Sequence, residues 1–399
     1  MKKQVLVIGP GMEIGGVERS LLGLLDAIDY EKYDVDLFLL SHTGEFMPLI
    51  NKNVNLLPEN KRFSYISWPI TKLLKSGKFL MAVTRLYCKL YGDIRAKIKK
   101  TATINTTFCT KVISGRSKKL SKHYDVALGF FAPHYFLNER VNADLKLGWV
   151  HTDYGNATEK PDVKFMLPMW SKLDYIACVS EAVKASFDNV FPTLKEKSIV
   201  IENVVSSDFI KNQADAFDVS SEMPDESAIR ILSIGRYCDA KAFDLIPEAV
   251  SRLLDKGYNL KWYIIGYGPD EQLIKTRIAQ FHVEDHVVLL GKKSNPYPYL
   301  KACDIYAQPS RYEGKAVTVT EAKILNKPVM ITRYDTAASQ VKDGFDGYIC
   351  EQGVAGIADG VEFMMNSKAF CDQLSENTKK IGYGNSDEFY KIIKLHVRG

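Results

Sequence analysis

The 399-residue sequence lacks closely spaced cysteines, long apolar runs and low-complexity segments. Its seven cysteines are scattered, odd in number and never spaced as a pair of ligands, so neither a disulfide framework nor a zinc site is expected. This usage fits a reducing compartment. The first apolar run, residues 5–8, is too short for a signal peptide or a membrane span. The protein is therefore expected to be cytoplasmic.

The composition places the chain among globular proteins. Hydrophobic residues make up 46% and charged residues 25%, which excludes disordered, collagenous and coiled-coil chains. The length corresponds to about two or three domains. The net charge of +5 is unevenly distributed, because residues 61–122 hold sixteen Lys or Arg and one acid, Asp93. The rest of the chain is therefore acidic.

Short apolar runs alternate with helical patterns in both halves, which is typical of parallel sheets with helices on their faces. Strands are predicted at residues 4–8, 35–40, 125–128, 146–150, 175–179 and 198–201, and at 230–234, 260–265, 287–290, 305–307 and 328–331. The predicted fold class is α/β, with two Rossmann-like doubly wound domains facing across a cleft. The active site is expected in that cleft, because open α/β sheets bind ligands at the carboxyl ends of their strands.

The domain boundary is predicted in a polar, acidic stretch without strand periodicity. Residues 1–205 form the N-terminal domain, with residues 61–122 as a basic insertion, and residues 206–228 form a linker. Residues 229–375 form the C-terminal domain. Residues 376–399 are expected to form a C-terminal helix that can return to the N-terminal domain.

A glycine-rich stretch, residues 9–19, lies between the first predicted strand and a helix. Glycines let a ligand approach the backbone, and unpaired amides at a helix start favour an anion, so Gly15 and Gly16 are candidates for a phosphate or substrate cradle. A nicotinamide or flavin site would need an acid after the second strand, where Ser41-His42 stands instead. A tight turn without a ligand remains the other interpretation.

Two cations, Arg236 and Lys241, stand five residues apart on the loop after predicted strand 230–234. They could converge on one anion, for which a diphosphate is the natural choice. Each contact at about 4 Å is worth roughly 4 kcal/mol before desolvation is counted. The alternative is that both side chains are simply solvated.

Two acids, Glu313 and Glu321, mark a third loop, with seven residues between them. Glu313 is expected on the loop and Glu321 in the helix that follows. The amides of Lys315, Ala316 and Val317 would then face a ligand phosphate, while the carboxylates bind hydroxyl groups on either side.

These motifs together resemble those of retaining glycosyltransferases with the two-domain GT-B architecture, in family four of the sequence classification. Further stretches agree in the same order along the chain: Gly148-Trp149-Val150-His151, Val179-Ser180, Glu202-Asn203-Val204-Val205 and Ile264-Ile265-Gly266-Tyr267-Gly268-Pro269. The resemblance covers nearly the whole chain outside residues 60–122. The resemblance implies that the N-terminal domain binds the acceptor and that the C-terminal domain binds the donor.

The resemblance implies a role for each candidate residue. Arg236 and Lys241 would neutralise the donor diphosphate, Glu321 would hold the ribose hydroxyls, and Glu313 would contact the transferred sugar. Gly16 would approach the donor phosphates from the N-terminal domain. The implied catalytic residues are His151, Glu313, Arg236 and Lys241, and the implied donor-binding residues are Gly15, Gly16, Arg236, Lys241, Glu313, Gly314, Lys315, Ala316, Val317 and Glu321.

His151 would lie near the sugar, and a hydrogen-bonded histidine at a strand end is its structural alternative. The chain also departs from the family pattern at two loops. Lys315 and Ala316 stand where many members carry an aromatic and a small residue. Residues 239–242 read Asp-Ala-Lys-Ala where a Lys-Gly pair is more usual.

The implied activity is metal-independent transfer of a sugar, as a hexosyltransferase, from a nucleotide-diphosphate sugar to a glycan or polyprenyl-linked acceptor with retention. Cell-surface polysaccharide biosynthesis is the expected context, and no cofactor is expected. Asp34-Val35-Asp36 is interpreted as strand-edge decoration and not as a metal site. The alternatives are a non-catalytic nucleotide-sugar-binding or scaffold protein and a non-hydrolysing sugar-nucleotide epimerase of the same fold.

The basic segment is expected to contain an amphipathic helix between Lys78 and Lys100. Its apolar positions recur at helical spacing: Leu80, Val83, Tyr87, Leu90, Tyr91, Ile94 and Ile98. Such a helix can lie on an anionic bilayer, so residues 61–122 are expected to hold the protein at the inner face of the plasma membrane. A solvated face over an ordinary core helix is the alternative. Nucleic-acid binding is not expected, since no base-reading module is present.

Overall fold

The computed structural model describes residues 2–151, 154, 160–224, 227–313 and 316–398, without the side chains of 396–398. It divides the chain into two compact units. The N-terminal unit contains residues 1–204 and 386–399, and the C-terminal unit contains residues 205–385.

The N-terminal unit alternates strands and helices. Its strands are β1 (Lys3–Gly9), β2 (Tyr33–Leu39), β3 (Asn55–Leu56), β4 (His123–Gly129), β5 (Asn142–Val150), β6 (Tyr175–Cys178) and β7 (Ser198–Val200). Its helices are α1 (Gly16–Asp26), α2 (Lys61–Ser64), α3 (Ile70–Lys75), α4 (Phe79–Lys99), α5 (Asn105–Arg116), α6 (Tyr135–Arg140), α7 (Val163–Trp170), α8 (Glu181–Val190) and, from the end of the chain, α17 (Glu388–Arg398).

The C-terminal unit repeats this alternation. Its strands are β8 (Ile229–Ile234), β9 (Leu260–Ile265), β10 (Val287–Gly291), β11 (Ile305–Gln308), β12 (Val329–Thr332) and β13 (Tyr348–Cys350). Its helices are α9 (Ser207–Ala214), α10 (Ile246–Asp255), α11 (Glu271–Gln280), α12 (Tyr297–Ala302), α13 (Val317–Ile324), α14 (Ala337–Gln340), α15 (Gly353–Asn366) and α16 (Lys368–Ile381).

Each unit is built on one parallel sheet. The strand order is β3-β2-β1-β4-β5-β6-β7 in the N-terminal unit and β10-β9-β8-β11-β12-β13 in the C-terminal unit. The neighbouring strands pair in parallel, for example Val5 with Val35 and Ile231 with Trp262. The predicted α/β class with two Rossmann-like domains is therefore confirmed. Because the strands run in parallel, the loops after them gather at one edge of each sheet.

The strand prediction missed β3 and β13, which lie at the ends of their sheets. These strands contain only two and three residues, so neither carries a periodic pattern long enough to recognise. The longer strands were recognisable because residues such as Val5, Leu6 and Val7 are fully buried and form continuous apolar runs.

The prediction that residues 206–228 form a linker has to be corrected, because part of this stretch belongs to the core of the C-terminal unit. Helix α9 starts there, and its N-cap Ser206 accepts a hydrogen bond from the Phe209 amide at 3.1 Å. Ile210 and Met223 are buried in one cluster with Leu232 of β8. These apolar residues were not recognised from the sequence, because they are widely spaced among polar ones.

The C-terminal boundary also differs from the prediction. Residues up to Ile381 continue helix α16 in the C-terminal unit, and the chain enters the N-terminal unit only at Ser386. There α17 packs through Phe389, whose ring lies edge-on to Tyr33 with centroids 5.5 Å apart.

Asp36 has a structural role, although the sequence analysis interpreted it as decoration at a strand edge. Asp34 is exposed, but Asp36 is buried on a strand between two neighbours. Its carboxylate accepts from Asn55 Nδ2 at 2.7 Å, Tyr124 Oη at 2.8 Å and Lys122 Nζ at 3.0 Å. Burial raises the pKa of Asp36, but these hydrogen bonds outweigh it and hold that pKa below its usual range. Asp36 thus ties β2 to β3 and β4.

None of the helices in the described part of the chain has an apolar run long enough to cross a bilayer.

The return of α17 gives a stability prediction. Phe389→Ala should lower the free energy of unfolding of the N-terminal unit by about 3–5 kcal/mol, because a fully buried ring would leave a cavity. Hydrogen-exchange mass spectrometry should show faster exchange in peptides from β1 and β2. Leu273→Ala, at a half-exposed site on α11, is the control. Unchanged protection of β1 and β2 would contradict this role for α17.

Candidate functional site

The glycine-rich loop of the N-terminal unit joins β1 to α1. Gly15 is the N-cap and Gly16 the first residue of the helix. A Cβ atom at Gly16 would meet nothing within 4 Å, whereas one at Gly15 would lie 2.2 Å from Glu18 Oε2. The backbone is therefore open to a ligand at Gly16, while the Glu18 carboxyl group covers Gly15.

Glu18 is a site residue to which the sequence analysis gave no role. Burial raises the pKa of its carboxyl, a hydrogen bond from its own amide lowers it, and nearby Glu13 raises it further. This end of α1 therefore carries an acid of its own, at the position where a phosphate was expected. The sequence could have predicted this contact, because an acid at the third helical position commonly turns back to the helix start.

His151 follows β5 at the carboxyl edge of the same sheet. Its Nε2 lies 2.7 Å from the Phe130 carbonyl oxygen, which can only accept, so Nε2 carries the proton. The centroids of the His151 and Phe130 rings are 5.0 Å apart. Burial lowers the pKa of His151 to about 4, against a smaller rise from this hydrogen bond. His151 is therefore a neutral imidazole whose Nδ1 is left as an acceptor.

The C-terminal unit brings Lys241 and Glu313 together. Lys241 lies in a short 3-10 turn after β8, and its ammonium group donates to Glu313 Oε1. Both side chains are largely buried, with 18% and 11% of their surfaces exposed. Arg236 lies on the same loop, but it is exposed and has no ion-pair partner among the residues that the structure describes.

Arg311 holds the two loops of this ion pair in place. Its amide donates to the Ala240 carbonyl at 2.8 Å, and its guanidinium donates to both carboxylate oxygens of Asp244, at 2.9 and 2.7 Å. Ala242 follows Lys241 with φ of 54°, a left-handed conformation that costs a non-glycine residue about 1–2 kcal/mol. A glycine, which is more usual at this position, would adopt this conformation without that cost.

Glu313 is positioned by a buried polar network. Its Oε1 also accepts from Ser310 Oγ at 2.6 Å and from Gln308 Nε2 at 3.3 Å. Its backbone carbonyl accepts from Thr336 Oγ1 at 2.8 Å. Oε2 has no donor within the described residues, so one carboxylate oxygen is fixed and the other is left to bind a hydroxyl group.

The remaining predicted residues lie around α13. Glu321 is buried and accepts from Tyr297 Oη at 2.8 Å. Val317 begins the helix. The Ala316 amide, expected to face a phosphate, instead donates to Gln340 Oε1 at 2.8 Å. Gly314 and Lys315 lie outside the described residues.

Tyr334 is a further polar group beside Glu313 that the sequence analysis missed. Its hydroxyl is buried and has no hydrogen-bond partner in the described part of the chain. Burial raises the pKa of Tyr334, and the Glu313 charge raises it further. Nothing in the local sequence marks Tyr334, because only the fold brings the loop after β12 to Glu313.

Residues 216–381 match the family model of the glycosyl transferases group 1. This part of the chain is therefore similar to that family. The match contains the Arg236 loop, the Lys241–Glu313 pair and Glu321, and it confirms the resemblance that the motifs predicted.

The glycosyltransferase match extends to whole sequences. An uncharacterized glycosyltransferase of Haemophilus influenzae is 23% identical, covering 96% of this chain and 94% of that protein. An uncharacterized glycosyltransferase of Methanocaldococcus jannaschii is 27% identical over 52% of this chain and 54% of its own length. The capsular polysaccharide biosynthesis glycosyltransferase CapM of Staphylococcus aureus is 26% identical over 54% and 58%. The chain thus spans only about half of the last two relatives.

Solved glycosyltransferases share the fold. A glycosyltransferase of Rickettsia africae aligns with a TM-score of 0.67 and 14% identity, covering 100% of this chain and 99% of that one. Staphylococcus aureus TarM aligns with a TM-score of 0.68 and 14% identity, covering 100% of both chains. At these identities the likeness establishes the GT-B fold, with its two Rossmann-like domains.

The environment of His151 predicts how it titrates. With a pKa of about 4 in the folded protein, against about 6.5 in an unfolded chain, it should stay neutral from pH 7 to pH 5. Only the unfolded chain takes up that proton, so this histidine makes the protein less stable as the pH falls from 6.5 to 4. Nitrogen-15 spectra of labelled histidine should show an Nε2-protonated neutral ring at pH 5. A ring that titrates near pH 6.5 would refute the buried site.

Proposed function

We propose that the protein transfers a hexose from a nucleotide-diphosphate sugar to a glycan or polyprenyl-linked acceptor, with retention and without a metal. The observation that carries the proposal is the Lys241–Glu313 pair, in which a cation and a half-satisfied carboxylate are fixed side by side. A site for a diphosphate sugar needs such neighbours, because phosphate oxygens require donors and sugar hydroxyls require acceptors.

The donor would be held within the C-terminal unit. Lys241 has three N–H donors and gives one to Glu313, so it can bind a phosphate oxygen at the same time. Exposed Arg236 would supply the second cation. Glu313 Oε2 would accept from a hydroxyl of the transferred sugar, and Glu321 would hold the ribose. We propose a uridine diphosphate donor, because HepE of Anabaena and TarM are described with UDP bound.

The chemical step would break the bond between the anomeric carbon and the leaving phosphate oxygen. Negative charge then builds on the diphosphate, where Arg236, Lys241 and the start of α13 can stabilise it. The acceptor oxygen would attack from the same face, and its proton would pass to the leaving phosphate. Neither Glu313 nor His151 needs to form a covalent bond. His151 would offer Nδ1 as a neutral acceptor near the sugar.

The biological setting is also part of the proposal. CapM is named for capsular polysaccharide biosynthesis, and another relative in Staphylococcus aureus is a poly(ribitol-phosphate) α-N-acetylglucosaminyltransferase. We therefore propose that the protein acts in the cytoplasm, at the inner face of the plasma membrane, on a precursor of a surface polymer.

Removing either cation tests the donor site. Arg236→Ala and Lys241→Ala should each slow donor turnover by about 100-fold or more, because each removes a group that stabilises the departing charge. Turnover can be followed as UDP release from a panel of UDP-sugars, with and without glycan acceptors. Lys275→Ala, an exposed cation on α11 paired with Glu271, should keep the wild-type rate. Wild-type rates in both cation variants would exclude this site.

Retention and metal independence have their own test. The product should keep the anomeric configuration of the donor, and excess EDTA should leave the rate unchanged, since side chains and a helix start carry the phosphate charge. Proton NMR of the product gives the anomeric coupling. An inverted product would refute the same-face mechanism, and loss of activity in EDTA that Mg²⁺ restores would refute metal independence. UDP binding without turnover of any donor would indicate a non-catalytic binder.

A further inference from the structure

Helix α4 presents a continuous apolar stripe to solvent. Eight large side chains on it have between 48% and 77% of their surface exposed: Phe79, Leu80, Val83, Leu86, Tyr87, Leu90, Ile94 and Ile98. At 100° per residue they fall within an arc of about 120°, along a helix about 30 Å long. This set is called the α4 stripe. It differs from the sequence expectation at Tyr91, whose ring packs on Phe108 at 4.4 Å, and by adding Phe79 and Leu86.

The opposite face of α4 already has its partner. Ala82, Thr84, Cys88 and Gly92 are buried there. A Cβ atom at Gly92 would lie 1.9 Å from Asn105 Oδ1 at the start of α5, so the two helices are in close contact. The helix therefore cannot roll to bury the α4 stripe within its own unit without losing this packing.

A polar anchor fixes the rotation of α4 as well. Arg95 lies off the stripe and donates to both carboxylate oxygens of Asp162, from Nε at 2.5 Å and from Nη2 at 3.2 Å. The exposed side of α4 is therefore a fixed feature of the folded unit.

The charges around the α4 stripe are almost all positive. The exposed cations near it are Lys89 and Lys97 on the helix, with Lys97 inside the arc near its C-terminal end, and Lys72, Lys75 and Lys78 before the helix. The single acid of the segment, Asp93, accepts from Asn105 Nδ2 at 2.8 Å and so faces α5. An apolar stripe with a cationic rim has the chemistry of an interfacial helix.

A partner of α4 must therefore be both apolar and anionic. A nucleic acid supplies the negative charge, but it has no continuous apolar surface that could cover the whole α4 stripe. A second copy of the chain supplies apolar surface, but it would bring two strongly basic segments against each other. An anionic bilayer supplies both, with acyl chains for the α4 stripe and headgroup phosphates for its lysines.

We infer that α4 lies flat on an anionic phospholipid bilayer, with the α4 stripe in the boundary between headgroups and acyl chains. The inference deepens the proposed function, since a polyprenyl-linked acceptor lies at the same surface, but it uses no residue of the donor site. Membrane binding and sugar transfer can therefore fail separately.

The test is flotation of the full chain with lipid vesicles. Vesicles of phosphatidylcholine with about one-third phosphatidylglycerol should bind the protein at low salt, and pure phosphatidylcholine should bind it far more weakly. High salt should weaken binding, because the contribution of the lysines is screened. Lys89→Gln with Lys97→Gln should lower the partition coefficient by about fivefold per charge removed.

A second variant separates the α4 stripe from general electrostatic attraction. Leu90→Asp with Ile94→Asp should lower the partition coefficient by about 100-fold, since it removes two inserted side chains and adds negative charge. Leu273→Asp, at a half-exposed leucine on α11, is the matched control and should bind vesicles as the wild type does. Circular dichroism and UDP titration of each variant should match the wild type, which shows that the fold and the donor site are intact.

Three outcomes would overturn the inference. The first is a wild-type protein that does not float with anionic vesicles at low salt. The second is a Leu90→Asp, Ile94→Asp variant that floats as well as the wild type. The third is a wild type that sediments as a dimer and becomes a monomer in this variant, which would assign the α4 stripe to a second copy.

Discussion

The contact between the Lys241 ammonium and the Glu313 carboxylate is the interaction on which the candidate donor site depends. Each charge would be costly to hold alone, because both side chains are largely buried. When paired, the two charges offset each other. The pair still leaves N–H donors on Lys241 and the Oε2 atom on Glu313 for a ligand. The same pair can thus be stable without a ligand and ready for phosphate and hydroxyl groups. Arg311 makes this possible, since it joins the two loops that carry the pair.

The sequence was sufficient to predict the architecture, because buried parallel strands appear in it as continuous apolar runs. It failed where an element was too short or its apolar residues too sparse, as in β13 and in residues 206–228, where Ile210 and Met223 join the core. The glycine-rich loop, the two cations and the two acids were recognisable for a related reason. Each follows a strand, so the topology gathers each set at the carboxyl edge of its own sheet.

The arrangement around these residues was not predictable in the same way. Ser310 and Gln308 fix Glu313 Oε1 through hydrogen bonds that depend on side-chain rotamers. The Ala316 amide is taken by Gln340, which is 24 residues further along the chain. Ala242 adopts a glycine conformation without being glycine, because the neighbouring Arg311 contacts hold the loop. Spacing identifies which residues face a site, but packing decides which of their atoms remain free.

Helix α4 shows how one element can serve two environments. The face that carries Cys88 and Gly92 belongs to the core of the N-terminal unit, and the opposite face carries the α4 stripe. Helix α4 and the turn after it also contact residues 160–162, because Arg95 binds Asp162 and the Ala102 amide donates to the Lys160 carbonyl at 2.8 Å. A surface that holds α4 would therefore also hold the start of α7, which follows the predicted sugar-facing residue. An acceptor confined to that surface would meet His151 at a fixed height and orientation, which reduces the entropy lost when the acceptor is aligned.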